Sequence, residues 1–472
     1  MKSKNNEVFS SKVNEIKEQI RDVYESRKRP VIVGFSGGKD STMTLQIVLE
    51  ALLETGKGLK YPIHVISTDT LVETPFFISH VNNSIKLINQ MAKDKGLEDK
   101  LIAHKLTPEY KNSFWVNLIG RGYPAPSQTF RWCTDRMKIK PVNAFVKNQV
   151  NDDTDVTIII GARKDESISR KQLMENYEKN SSDLGLSQHD TLAGAWVFSP
   201  ISELTTSEVW LYLTMNPNPW GADNNMLMEM YQQGSGEDSK ECPTVIDDKT
   251  ESCGSSRFGC WVCTVVQKDT SMENVSQQEG NEWMKELLNF RNMLKETIDI
   301  AKKSEYRSHK RRNGHVSIVR DLSRIAYGPY KIEYRKKFLL DLLKAQKKIN
   351  DMGQDIKLIQ DEELSLIRDI WIDENFDWED SVSLSLEKVG YKLNFDKKYD
   401  LVFNEDDKKL LLKVCEEEDV DSALIGRILN TEILNNQPSQ RGKVFKDINK
   451  VFKEEWRKEE EILKLLDQEE RN

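Results

Sequence analysis

Ser36-Gly37-Gly38-Lys39-Asp40-Ser41 sets two hydroxyls, two glycines, a cation and a carboxylate in consecutive positions. Glycines let a backbone approach a ligand closely and aim several N–H groups at one point. Where such a turn opens a helix, the positive end of the dipole adds to the attraction for an anion. In this arrangement Lys39 would neutralise phosphate charge and Ser36 and Ser41 would donate hydrogen bonds. Asp40, in the first helical turn, would also help hold Mg²⁺. The loop differs from G-x-x-x-x-G-K-S/T, because Gly37 and Gly38 are adjacent and Lys39 follows them directly.

Cysteines form a second constellation. Cys242, Cys253, Cys260 and Cys263 follow C-x10-C-x6-C-x2-C in a stretch rich in Gly, Ser, Asp and Lys. Thiolates gathered in this way bind Zn²⁺ or an iron–sulfur cluster. The wide, irregular spacing, with Trp261, Val262, Val265 and Val266 as an apolar shell, favours 4Fe-4S over Zn²⁺ or no metal. Cys133 and Cys415 stand apart, and Cys415, inside KLLLKVC, reads as a core thiol.

Two basic segments follow strands or flank them. Arg131-Trp132-Cys133-Thr134-Asp135-Arg136-Met137-Lys138 reads either as anion contacts or as a solvated basic face. Gly161-Ala162-Arg163, with Arg170 beyond, ends an apolar run in the side chain suited to bidentate phosphate contact. A larger island spans residues 302–337, where twelve Lys or Arg face three acids, a net of +9 in a chain whose total is -8. Its Lys310, Arg311, Arg312 and Arg335, interleaved with tyrosines, suit a phosphodiester backbone or else a solvated face.

The elements that must position these groups are legible. Val31, Ile32, Val33 and Phe35 form a buried-strand run, and Met43, Leu45, Ile47, Val48 and Leu52 recur at helical spacing. Residues 62–67 and 156–160 read as further strands. The first ends in Asp69, which is either a ligand contact at the carboxyl end of a parallel strand or a helix cap. Thr205 and Glu208 form a capping box for a helix that stops before Asn216-Pro217. The expected fold is α/β, a doubly wound and mainly parallel sheet, with a Cys-rich iron–sulfur loop region and a mostly helical C-terminal extension. Its expected divisions are residues 1–220, 221–300, 301–372 and 373–472.

Charged residues make up 31% and hydrophobic ones 38% of the 472 positions, so several cores are affordable and no global nucleic-acid signature appears. MKSKNNEVFSSK lacks the apolar stretch of a signal peptide, and no run approaches the roughly 18–20 apolar residues of a membrane span. A cytoplasmic protein with no membrane association is expected, where clustered cysteines point to metal or redox chemistry.

The hexamer resembles the PP-loop, SGGKDS, of the ATP pyrophosphatase superfamily, whose fold is that of the adenine nucleotide alpha hydrolases. RWCTDRMKIKP, GARKDES with Arg170, and Ser199-Pro200-Ile201 resemble the PAPS reductase branch. The reductases carry a terminal Glu-Cys-Gly-Leu-His nucleophile where these residues read LLDQEERN, so reduction of activated sulfate is not expected. The CxxC-T-V, FRN and YGPY segments are similar to DndC-like sulfurtransferases of bacterial DNA phosphorothioation systems. That resemblance implies ATP and Mg²⁺ as cofactors beside a 4Fe-4S cluster, with pyrophosphate released as a DNA phosphate is adenylated. It implies DNA, a cysteine desulfurase and other subunits of the complex as partners. ATP contacts would come from Ser36, Gly37, Gly38, Lys39, Asp40, Ser41, Asp69, Arg131, Gly161, Arg163 and Arg170, and chemistry from Lys39, Asp40, Cys133 and Arg163. Other PP-loop enzymes, a tRNA thiolase or a sulfonucleotide reductase, and a non-catalytic ATP- and DNA-binding scaffold are the alternatives.

Overall fold

The computed structural model describes residues 2–54, 56, 58–150, 155–179, 181–182, 184–234, 259–319, 324–396, 403–435 and 441–471. Cys242 and Cys253 lie outside them. The chain forms two compact units, Met1–Glu109 with Pro126–Leu288, and Tyr110–Ala125 with Asn289–Asn472. Composition suggested four consecutive segments; the two units are a coarser division, in which residues 110–125, with Phe114, Trp115, Val116, Leu118 and Ile119 buried, belong to the second unit.

The first unit runs α1 (Lys2–Arg27), β1 (Val31–Gly34), α2 (Lys39–Leu53), β2 (Ile63–Thr68), α3 (Pro75–Asp94) and β3 (Leu101–Leu106). It continues through α4 (Trp132–Thr134), α5 (Lys140–Gln149), β4 (Val156–Ile159), α6 (Ile168–Glu178), β5 (Ser187–Gln188) and β6 (Ala195–Phe198), then α7 (Thr206–Met215), α8 (Asn224–Gly234) and α9 (Thr270–Val275). The strands form one sheet in the order β3-β2-β1-β4-β6-β5, parallel except for β5. Alternation along β1 explains its two-sided burial. Val31 and Val33 join one core with residues of α1, α2 and α3, while Ile32 joins the opposite one with Val146 and Ile158. Strand order reverses between β1 and β4, and ligands of open α/β sheets bind at the carboxyl ends beside such a point. The hexamer begins two residues after β1 ends.

The second unit contains α10 (Met284–Glu296), α11 (Lys303–Tyr306), a hairpin of β7 (Ile318–Val319) and β8 (Arg324–Ile325), and α12 (Ile332–Asp351). After these come α13 (Asp361–Asn375), α14 (Ser381–Val389), α15 (Glu405–Glu417), α16 (Ser422–Leu434), α17 (Val444–Phe452) and α18 (Glu459–Arg471). Phe114, Trp115, Val116, Leu118 and Ile119 are fully buried in it. Trp115 Nε1 donates to Leu358 O at 2.7 Å and Trp371 Nε1 donates to Ile119 O at 3.1 Å, so both indoles satisfy their only donor. Among the described residues, no helix is long and apolar enough to cross a membrane.

Within the sheet, His64 Nδ1 lies 3.1 Å from His104 Nε2, with Phe145 of α5 against both rings. Burial holds both imidazoles below the ordinary value of 6.5, and His104 lowers His64 further. The unfolded chain therefore binds protons at a pH where the folded one does not. This contribution to stability is complete above about pH 6.5 and is lost as pH falls below it. The denaturation midpoint of the first unit should drop between about pH 7 and pH 5. His104→Leu should flatten that dependence, and an equally steep profile in the variant would remove the pair as its source.

Candidate functional site

Gly37 adopts φ +82, and a Cβ there would meet Val81 Cγ2 of α3 at 2.6 Å, so the turn lies too close to its neighbour for any side chain. Gly38 is the N-cap of α2 and uses no side chain for capping. The two serines brace the loop. Ser41 Oγ lies 3.0 Å from Ser36 Oγ, accepts from Ser36 N at 3.2 Å and donates to Gly38 O at 3.0 Å. Tyr231 of α8 accepts from Lys39 N at 3.4 Å through its hydroxyl, and Lys39 Nζ sits 5.4 Å from its ring centroid. His80 of α3 donates to the Gly37 carbonyl, and its Nε2 is buried; burial holds it below the ordinary value. Neither Tyr231 nor His80 carries a sequence signal, because each reaches the loop from a distant helix.

Lys39, Asp40 and Arg163 form a buried charge chain, with exposures of 3%, 2% and 1%. Lys39 Nζ is 3.0 Å from Asp40 Oδ2, while Asp40 Oδ1 accepts from Arg163 Nε. The rest of the Arg163 fork donates to Leu204 O at 3.0 Å, Thr206 Oγ1 at 3.1 Å and Asp165 Oδ2 at 3.3 Å. The backbone N–H of Thr206 is the main cause that holds the Asp165 carboxyl below its usual range. Arg163, expected on the phosphate, thus ties the end of β4 to α2 and α7. Arg170 is likewise buried and paired with Glu166, one helical turn away. Burial is the largest influence on Glu166 and raises it. Gly161 permits the close approach, since a Cβ there would stand 2.8 Å from Asp40 O. Asp69 is not a helix cap, a place held by Thr74. Its Oδ1 accepts from Leu71 N at 2.9 Å and its Oδ2 lies 3.4 Å from Lys105 Nζ. Arg131 is half-buried at the start of α4.

The loop after β2 carries the thiol site. Thr74 N and Oγ1 donate to Gly259 O at 3.0 and 2.7 Å, and Trp261 N donates to Val72 O at 3.0 Å, docking the Cys-x-x-Cys turn beside it. Cys260 Sγ lies 3.2 Å from Thr70 Oγ1 and 3.6 Å from Glu73 Oε1, which is 3.9 Å from Lys138 Nζ. Cys133 joins this group from α4. Burial pushes its thiol up to about 12, Cys263 adds to the rise and Lys138 opposes it. Burial also raises Cys260, with Glu73 and then Cys263 among its charged neighbours. Sequence spacing had kept Cys133 apart from Cys260 and Cys263. The structure joins them because α4 and the Cys-x-x-Cys turn meet at one edge of the sheet. Among the described residues, no three His, Cys, Asp or Glu side chains converge tightly enough for a single metal ion.

In the second unit, Arg311 and Arg312 are exposed, with Arg311 Nη1 on Tyr327 O at 3.1 Å and Arg312 Nη2 at 3.1 Å from Glu374 Oε2. Lys310 Nζ lies 4.0 Å from the Trp456 ring centroid. Arg335 is buried at 3% exposure and donates to Ile119 O at 2.8 Å and to Gly120 O. Expected as a DNA contact, its guanidinium here donates to carbonyls of residues 110–125.

An SGGKDS turn at the switch point of a parallel sheet, opening α2 with its lysine on Asp40, marks a PP-loop domain. The profile of the phosphoadenosine phosphosulfate reductase domain matches residues 30–266, and the chain belongs to that family. An uncharacterised protein of Methanocaldococcus jannaschii is 27% identical over 281 residues, 59% of this chain and 44% of that protein, so the chain spans under half of its length. Among solved structures, the U34-tRNA thiolase NcsA of Methanococcus maripaludis with its 4Fe-4S cluster aligns with 62% of this chain and 83% of its own. That alignment has 13% identity and a TM-score of 0.28.

Gly161→Ala should force β4 away from the backbone of Asp40, with a loss of roughly 1–3 kcal/mol in the first unit. Denaturation and nucleotide titration of the same variant should both show the loss. Unchanged values would mean that the contact yields without strain.

Proposed function

We propose that the chain is an ATP pyrophosphatase and sulfurtransferase that adenylates a DNA backbone phosphate and helps replace one of its non-bridging oxygens by sulfur. The observation that carries this reading is the phosphate loop after β1 and three half-buried cysteines, Cys133, Cys260 and Cys263, gathered beside the loop after β2. A phosphate oxygen attacks the α-phosphorus of ATP and pyrophosphate leaves, its charge met by Lys39 and the amides of the loop. Asp40 would hold Mg²⁺ once Lys39 turns to the phosphates. Sulfur at the sulfide level then displaces AMP. A persulfide from a cysteine desulfurase reaches that level with two electrons from a thiol reductant.

Cys133, Cys260 and Cys263 would hold an iron–sulfur cluster, each thiolate on a different iron. Such a cluster would supply Lewis-acidic iron able to hold a sulfur donor. The basic island at residues 302–337 supports a polyanionic acceptor.

Lys39→Ala should lower pyrophosphate release at least about a hundredfold with the fold intact. Stimulation by duplex DNA, and not by tRNA or a free sulfonucleotide, is expected. The opposite preference would transfer the reading to another PP-loop enzyme, and no AMP with any acceptor would leave a scaffold. Cys133→Ser, Cys260→Ser and Cys263→Ser should each lose iron after anaerobic purification while Cys415→Ser keeps it. Full iron in Cys133→Ser would exclude Cys133 from the ligand set.

A further inference from the structure

Lys310 of the basic island is not presented openly, although Arg311 and Arg312 beside it are. Bridges Arg307↔Tyr330 and Lys310↔Val316, with β7 and β8, fold the island into a small hairpin platform. The segment that links α17 to α18 lies across it. Glu455 N donates to Gly314 O at 2.9 Å, and Gly314, at φ +80, leaves room where a Cβ would strike the Glu454 side chain. Trp456, fixed by its Nε1 bond to Val451 O at 2.8 Å, covers Lys310. Tyr327 OH donates to Glu459 Oε1 at 2.6 Å, and Ile462 and Leu466 of α18 pack on Ile325 beside Val316 and Tyr327.

Charge follows the same pattern. Asp421, Glu454 and Glu455 surround Lys310, and burial lowers its ammonium from the ordinary range. Glu454 and Glu455 of the linking segment, with Glu459 at the start of α18, thus stand beside Lys310 and Tyr327, where phosphates of a polyanion would be drawn; Glu454 is also paired with Arg427 of α16 and Glu455 with Arg457. The fastening to the platform is one backbone hydrogen bond, one tyrosine, one ring over a cation and two aliphatic side chains, with the Arg427–Glu454 pair holding the segment to α16. It is local and can part without unfolding the helices on either side.

We infer that residues 453–459, backed by α18, form an autoinhibitory strap that occupies the polyanion-binding face of the hairpin platform and lifts when nucleic acid binds. The inference rests on the reading of residues 302–337 as a DNA-binding stretch. The strap exchanges with phosphates for Lys310, so a chain unable to close it should bind DNA more tightly and with a steeper salt dependence.

The test compares the full chain with a triple variant, Glu454→Gln, Glu455→Gln and Trp456→Ala, which leaves α18 and its apolar contacts in place. Binding of a labelled short DNA duplex is followed by anisotropy across a salt series. The variant should bind about tenfold more tightly near physiological salt, and its log–log salt slope should steepen by about one unit as Lys310 becomes a phosphate contact. Adding Lys310→Ala to the triple variant should cancel the extra slope. In the unmodified chain, duplex DNA should speed hydrogen exchange at the Glu455 amide. Equal affinity and slope in a chain that does bind DNA would overturn the strap and leave the DNA reading standing. Absence of binding by both chains would overturn the two together, and slower exchange at Glu455 on DNA addition would show a strap that tightens instead of lifting.

Discussion

The carboxylate of Asp40, shared between Lys39 and Arg163 in the interior of the first unit, is the contact on which the nucleotide loop depends. A buried carboxylate needs compensation, and removing one partner of such a pair is strongly destabilising. Here compensation is duplicated. Because Arg163 keeps one oxygen, Lys39 can leave the other for an incoming phosphate without stranding a buried charge. The Gly161 contact, the Thr206 hydroxyl and the Leu204 carbonyl all serve to hold Arg163 in place. Arg163 is therefore the more firmly anchored of the two cations on Asp40.

The thiol site obeys the opposite logic. Cys133 and Cys260 are held protonated by burial and by their mutual neighbour Cys263, in an apolar setting with Trp261 and Val262. Thiols in that state are poor nucleophiles. A cationic centre reverses the balance by stabilising thiolates, so assembly of a cluster would release protons and also bind the Cys-x-x-Cys turn to α4. The Thr70, Val72, Glu73 and Thr74 contacts dock the turn beside the loop after β2.

Periodicity and local motifs made the sheet legible. The runs at residues 31–34, 63–68 and 156–159 are strands as their β-branched content demanded, and the Thr205–Glu208 capping box opens α7. Side-chain destinations were less legible. Arg163 and Arg170 looked like phosphate ligands because Arg after a strand end often is, but a guanidinium meets carboxylates equally well, and Asp40 and Glu166 lie within reach. Arg335 sat in a basic run with exposed members such as Arg311, Arg312 and Lys337, and its phase on α12 turned it inward. Cys133 could not be linked to Cys260 from spacing, since only the sheet brings them together.

Residues 110–125 interrupt one unit and complete the other, with the Trp115 side chain bonded to Leu358, 243 positions later. Translation at roughly 5–20 residues per second leaves that stretch waiting on the order of ten to fifty seconds for its partner helices to leave the ribosome. For that interval Phe114, Trp115, Val116, Leu118 and Ile119 remain a contiguous greasy segment, flanked by a sheet already able to form. Such a segment is a natural client for a chaperone acting on the nascent chain. A fragment cut at Asn289 would likewise never acquire the aromatic plug around which its own helices close.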